Sequence, residues 1–192
     1  MMPIVLIGAG GHCRSVIDVI EQNGQYKIAG IVDNSLSSGT NVLGYSILGN
    51  DEDLPKIALT FKYALISVGQ IKSASVRIRL FNLALKAGFE LPSIISPLAY
   101  VSKHASIGKG VVVMHNALIN SNAIIGDNCI INSKALVEHD CEISNHCHIS
   151  TNAIINGGVK IGPESFIGSG VITKQSITIN KNSFIKAGSI VT

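Results

Sequence analysis

Val137-Glu138-His139-Asp140 sets an imidazole between two carboxylates, the residue types that a general base requires. A carboxylate bonded to one ring nitrogen fixes the tautomer and stabilises the imidazolium, which leaves the other nitrogen to take up a proton. Alternation along an extended chain turns Glu138 away from the side that Val137 faces. The acid expected on the ring is therefore Asp140, or a group from another chain. Four further histidines, His104, His115, His146 and His148, lie in the same half of the chain, and His139, Cys141, His146, Cys147 and His148 together raise a metal site as the rival reading. Spacing weakens it, because Cys141 and Cys147 share one register while His146 and His148 flank Cys147 and point the other way. A two-histidine site, alone or with a neighbouring chain, stays open, and His104 and His115 read as surface histidines.

A second constellation lies near the N-terminus. Gly8-x-Gly10-Gly11-His12 follows the apolar run from Pro3 to Ile7 and opens a helical pattern, so free backbone N–H groups there can meet a phosphate. The full dinucleotide fingerprint needs a glycine where Cys13 stands. Asp33, at the end of the next strand, is placed to accept a ribose hydroxyl. Both a ligand-free tight turn and a phosphate cradle fit these residues. The lost third glycine and the half-size sheet favour a single nucleotide, such as the UDP of a nucleotide sugar, over NAD.

The elements that position these groups differ between the two halves. From Val101 onward, Val or Ile recurs every six residues through Ile107, Val113, Ile119 and on to Val191, with Thr173 the one lapse. Four places after each comes a small or β-branched residue, among them Cys129, Cys141 and Cys147. Neither a helix nor an ordinary strand repeats every six residues, but a solenoid of short strands does, three hexapeptides to a coil. The residue 18 places on then lies one coil below, which puts Gly157 under His139 and Ser121 above it. The three cysteines become reduced, buried space-fillers. Residues 1–92 instead alternate strands (3–7, 26–33, 63–68) with helices (12–22, a short one from Asn50, and 73–86 capped by Ser73), predicting a small parallel sheet.

Composition narrows the rest. Of 192 residues, 46% are apolar and 14% charged, which excludes a disordered chain. The net charge is +3 without a Lys/Arg run, so nucleic acid is not an expected partner. No stretch reaches the roughly 18 apolar residues of a membrane span, and the N-terminus lacks a signal-peptide pattern. A cytoplasmic protein without membrane insertion is expected.

Four segments in order, Gly8-Ala9-Gly10-Gly11-His12, Val42-Leu43-Gly44-Tyr45 leading to Asn50-Asp51-Glu52-Asp53, Ile94-Ile95-Ser96-Pro97, and Val137-Glu138-His139-Asp140, resemble the bacterial sugar acyltransferases. These include UDP-4-amino-sugar and perosamine N-acetyltransferases and NeuD-type sialic acid O-acetyltransferases. The resemblance spans essentially the whole chain. It implies an α/β half-Rossmann domain (1–92) that binds a nucleotide sugar, followed by a left-handed parallel β-helix (93–192) that binds acetyl-CoA. It implies that His139 is the general base and that Asp140 raises its basicity. It implies acetyl-CoA contacts at His148, Gly157, Ser169 and Ala187, the last usually a glycine in relatives. Gly10, Gly11, His12, Asp33, Asn34 and Gly69 would hold the nucleotide sugar, with Asn34 standing where some UDP-sugar members carry an acid. A homotrimer with sites between subunits and no metal is implied as well. Relatives carry a short C-terminal tail; here the coil ends at Thr192, an open edge for further chain or another subunit to cover.

The expected activity is acetyl-CoA-dependent N-acetylation of a UDP-linked 4-amino-4,6-dideoxy sugar by direct attack. O-acetylation of a sialic acid or related nonulosonate, a non-catalytic sugar-nucleotide-binding assembly protein and a γ-carbonic-anhydrase-like metalloenzyme are the alternatives.

Overall fold

The apolar run at the N-terminus forms β1 (Met2–Ile7), buried from Ile4 to Ile7. It pairs in parallel with β2 (Tyr26–Val32) on one side and β5 (Tyr63–Ile66) on the other. Between β1 and β2 runs α1 (Gly11–Asn23), which buries Cys13, Val16, Ile17, Val19 and Ile20. It stops at Gly24, whose left-handed backbone (φ 70°) returns an N–H to the Ile20 carbonyl. A computed structural model describes all 192 residues, which fall into two units: residues 1–69 with 75–92, and residues 70–74 with 93–192.

The sheet of the first unit is larger than the sequence pattern predicts. A hairpin of β3 (Asn41–Val42) and β4 (Tyr45–Gly49) extends it to five strands in the order β3-β4-β2-β1-β5, with β3 antiparallel. The turn is Leu43-Gly44, both at positive φ (49° and 88°). A leucine in that conformation carries none of the Asn-Gly signal that marks such hairpins. Asn50 then opens the expected short helix. Its side chain accepts the Glu52 N–H while the Asp53 carboxylate accepts the Asn50 N–H, a capping box on the 3-10 turn Asp51–Asp53, followed by α2 (Leu54–Ala58). The last helix, α3 (Ser75–Ala87), starts two residues beyond Ser73, and β5 ends at Ile66 rather than Val68. Fully buried Arg77 of α3 donates to the carbonyls of Ile66, the last residue of β5, and of Val68 just beyond it.

The second unit is a parallel β-helix, of the left-handed type, built from two-residue strands in three sheets of six, five and six strands. It begins at Ile94–Ile95, and each strand pairs with the one 18 residues on, Leu118 with Leu136 and Leu136 with Ile154. The second residue of each strand points inward. Val113, Ile119, Ile131, Val137 and Ile149 are fully buried, with Cys129, Cys141 and Cys147 as free thiols in the small-residue column. Corners turn on left-handed residues such as Asn122 (φ 59°), Asp140 (60°) and Gly158 (69°), which is why asparagine and glycine recur there.

The three faces differ in chemistry. One presents Ile94, Val112, Ile130, His148, Phe166 and Phe184, with Phe166 and Phe184 stacked at 5.3 Å. The next is wholly apolar: Tyr100, Leu118, Leu136, Ile154, Ile172 and Ile190. The third carries Ser106, Ile124, Glu142, Lys160 and Thr178, with Lys160 paired to Glu142 at 2.8 Å.

Candidate active site

His139 occupies the corner after the Leu136–Val137 strand. The left-handed turn at Asp140 folds its carboxylate back, and Asp140 Oδ2 lies 2.7 Å from His139 Nδ1. A carboxylate only accepts, so Nδ1 carries the proton and Nε2 is the basic nitrogen of the neutral ring. The Asp140 bond, and less strongly its charge and that of Glu138, raises the imidazole above its ordinary 6.5. Asp140 is in turn held below the usual carboxylate range, first by Asn122 and then by His139. Asn122 Nδ2 donates to Asp140 Oδ1 at 2.7 Å, and it sits one coil above Asp140 in the same corner column. Glu138 does turn away from the ring: its Oε2 accepts from Asn120 Nδ2 at 2.7 Å and from the His139 N–H.

Gly157 lies one coil below, and the Gly158 N–H donates to the His139 carbonyl at 2.9 Å. A Cβ on Gly157 would stand 2.8 Å from both Cε1 and Nε2 of His139. This glycine is thus required by close approach of the ring rather than by its backbone angles.

The other expected acetyl-CoA contacts lie elsewhere on the coil. Buried His148 donates from Nδ1 to the Gln70 carbonyl at 2.6 Å and accepts at Nε2 from Asn132 at 3.1 Å, a neutral ring in a set tautomer. Ser169 is exposed, 3.0 Å from Ser150 through their hydroxyls, and its carbonyl accepts the Gly188 N–H. Ala187 is exposed one coil below Ser169. Ser169 and Ala187 share the corner before the apolar face, whereas His139 and Gly157 share the corner after it. A single chain does not bring these two groups together.

His146 is 3.1 Å from Asn128 Nδ2, on a different corner from His139, and no group of three or more His, Cys, Asp or Glu could hold an ion. His115 is half-buried and bonded to Ser96 Oγ at 2.6 Å, so it is not the free surface histidine that its spacing suggests.

In the first unit, Gly10 and Gly11 are exposed with open space where a Cβ would sit, and a Cβ on Gly69 would lie 3.4 Å from His12 Cβ. Asp33 accepts the Ala9 N–H at 2.8 Å through one oxygen and the Ser35 N–H at 2.8 Å through the other, bracing the Gly-rich turn. Asn34 exchanges two 2.9 Å bonds with Asp51, whose carboxylate also takes Arg79 at 2.7 Å. Gly8, Asp33, Asn34, Val68 and Arg79 line a cavity of about 160 Å³, and Asn34, Asp51 and Arg79 also border a neighbouring one of about 720 Å³. Sequence reasoning missed Asn122, Asp51 and Arg79. Only Asn122 left a signal, lying 18 residues before Asp140.

Residues 3–83 match the PglD N-terminal domain, and residues 104–139 match the bacterial transferase hexapeptide repeat. No curated protein sequence matches significantly. Among solved structures, a histidine-to-asparagine mutant of perosamine N-acetyltransferase from Caulobacter crescentus, in complex with CoA and GDP-perosamine, is 32% identical. That match covers 100% of this chain and 89% of the other, with a TM-score of 0.94. PerB from the same organism, with the same ligands, is 33% identical with the same coverage and a TM-score of 0.92. The acetyltransferase domain of PglB from Neisseria gonorrhoeae FA1090, in complex with acetyl coenzyme A, is 30% identical over 98% of this chain and 92% of that one, with a TM-score of 0.90.

Proposed function

The chain belongs to the bacterial sugar acetyltransferases that join a PglD-type N-terminal domain to a hexapeptide-repeat β-helix, and we propose that it transfers the acetyl group of acetyl-CoA to the amine of a nucleotide-linked 4-amino-4,6-dideoxy sugar. The observation that carries this reading is the 2.7 Å His139–Asp140 bond, which leaves Nε2 basic and beside Gly157. The amine attacks the thioester carbonyl while Nε2 takes its proton. The C–N bond forms, the C–S bond breaks, and the proton on His139 passes to the departing sulfur, so one amide and one CoA thiol result. The Gly157 N–H supports the carbonyl oxygen as it gains charge.

Gly10, Gly11, His12, Asp33, Asn34 and Gly69 bind the nucleotide sugar in this reading, and the braced Gly-rich turn supports it. The sequence pattern points to UDP as the carrier, and the Caulobacter enzyme binds GDP-perosamine. His148, Gly157, Ser169 and Ala187 contact acetyl-CoA. The protein works as a homotrimer in the cytoplasm. Its apolar face, Tyr100 to Ile190, is suited to a threefold contact, and the two half-sites lie on the corners at either edge of that face. Closing the ring sets the His139 corner of one subunit near the Ser169–Ala187 corner of the next. Four free buried cysteines fit a reducing compartment, and no helix is long and apolar enough to cross a membrane.

The test is CoA thiol release with a panel of UDP- and GDP-linked 4-amino sugars. His139→Ala should lose about 10²- to 10⁴-fold, the range for a general base. A His139→Ala protein that releases thiol at the wild-type rate would overturn the proposal.

A further inference from the structure

Thr173, the one departure from Val and Ile in the inward column, lies one coil below Ile155, which immediately precedes Asn156 and Gly157. Elsewhere in this sheet the N–H after an inward residue donates to the inward residue's carbonyl one coil down. Asn120 bonds the Val137 carbonyl at 2.9 Å, Glu138 the Ile155 carbonyl at 2.9 Å, and Lys174 the Val191 carbonyl at 2.6 Å. At Asn156 the pattern is rerouted. Its N–H donates to Thr173 Oγ1 at 3.0 Å, and its side-chain amide takes the Thr173 carbonyl instead. The ladder opens there: Ile154 pairs with Ile172, but Ile155 does not pair with Thr173, although the neighbouring coils keep both pairs.

The rerouting changes what the Asn156 side chain does. At the same place in other hexapeptides, Asn120 and Asn132 turn Oδ1 onto the following N–H, those of Ser121 and Ser133, at 2.8 Å each. Asn156 is committed to Thr173, and the Gly157 N–H donates to no protein atom. Gly157 is the residue packed against the basic edge of His139.

We infer that Thr173 and Asn156 are a positioning pair that keeps the Gly157 N–H open to receive the oxygen of the reacting carbonyl. The inference rests on the acetyl-transfer reading and adds to it a reason for the break in the repeat. A valine at 173 has nearly the same shape but no acceptor for the Asn156 N–H. The ladder bond to the carbonyl would then close, and the released Asn156 would cap Gly157 as Asn120 caps Ser121. Part of the transition-state stabilisation would be lost without loss of the coil.

Thr173→Val should lower kcat about 10- to 100-fold, less than the roughly 10²- to 10³-fold of deleting an oxyanion donor. KM for both substrates should stay within about twofold, since only the transition state is affected. Thr173→Ser keeps the acceptor and should restore most of the rate. The double variant Thr173→Val/Asn156→Ala removes the competitor for the N–H and should recover activity relative to Thr173→Val, a non-additive result that general structural damage would not give. Amide exchange at Gly157, unprotected in the wild type and protected in Thr173→Val, reads the same switch without any substrate. A wild-type kcat in Thr173→Val, strictly additive losses in the double variant, or equal exchange at Gly157 in both proteins would overturn the inference. A wild-type protein that acetylates no amino sugar would count against the acetyl-transfer reading instead, and the exchange experiment would still decide the Thr173–Asn156 device.

Discussion

Gly157→Ala is the substitution in which geometry makes the sharpest forecast. The added Cβ would start 2.8 Å from Cε1 and Nε2 of His139 and 3.4 Å from Cδ2. Carbon contacts relax to about 3.5 Å, so the imidazole must retreat by about 0.7 Å. It can do so cheaply, because the His139 side chain is 62% exposed. The backbone at 157 is not in the left-handed region, so alanine itself introduces no conformational strain. The fold should therefore survive with a melting temperature within about 2 °C of wild type, as for an ordinary surface substitution. Activity should not survive as well. A misplacement of about 1 Å costs on the order of 10²-fold in an oriented reaction, so a shift of about 0.7 Å should cost roughly 10- to 100-fold in kcat. The assay is initial-rate thiol release at saturating acetyl-CoA and amino-sugar acceptor, beside a thermal melt of the same preparation. Wild-type kcat in a folded Gly157→Ala protein would refute the idea that contact with Gly157 sets the position of the base.

Further outcomes follow from other parts of the molecule. A base must be neutral to accept a proton, so kcat/KM should fall as pH drops through the His139 pKa, which Asp140 holds above 6.5. Asp140→Asn removes the carboxylate, and the acid limb of the pH–rate profile should move to lower pH while the plateau falls; an unmoved limb would contradict the pairing. Asn122→Ala frees one oxygen of Asp140 and should reduce kcat by a smaller factor than Asp140→Asn, which paired kinetics of the two variants would check. Leu136→Asp, on the apolar face, should give monomers by light scattering and lose activity, whereas Glu142→Ala on the polar face should leave the assembly intact. Ile143→Ala empties a site that is 1% exposed and should cost about 2–5 kcal/mol in urea unfolding.

The β-helix was readable because its period ties each residue to its neighbours in the coil. Once Val137 and Ile155 are known to face inward, counting by 18 places Gly157 beneath His139, and the same rule applied to Asp140 finds Asn122. The first unit was less legible. The Leu43-Gly44 hairpin lacks turn residues of the usual kind, and α3 begins at Ser75, two residues later than the pattern predicts. Asn34, Asp51 and Arg79 are distant in sequence and meet only because the loop after β2, the capped turn after β4 and α3 converge. The Gln70 carbonyl on His148 is likewise a contact across 78 residues that no spacing rule anticipates.

Sequence alone determined the solenoid, its inward column, the reduced cysteines and the His139–Asp140 candidate, because hydrophobic periodicity and local turns are properties of short stretches of chain. Tertiary structure decided which acid bonds the ring, that His148 is buried against Gln70, and that His139 stands on a different corner from Ser169 and Ala187. It also turned Thr173 from a lapse in a pattern into a hydrogen-bond acceptor. These outcomes depend on hydrogen bonds between coils and across long loops, where distance and direction select one partner among several that the sequence leaves equivalent.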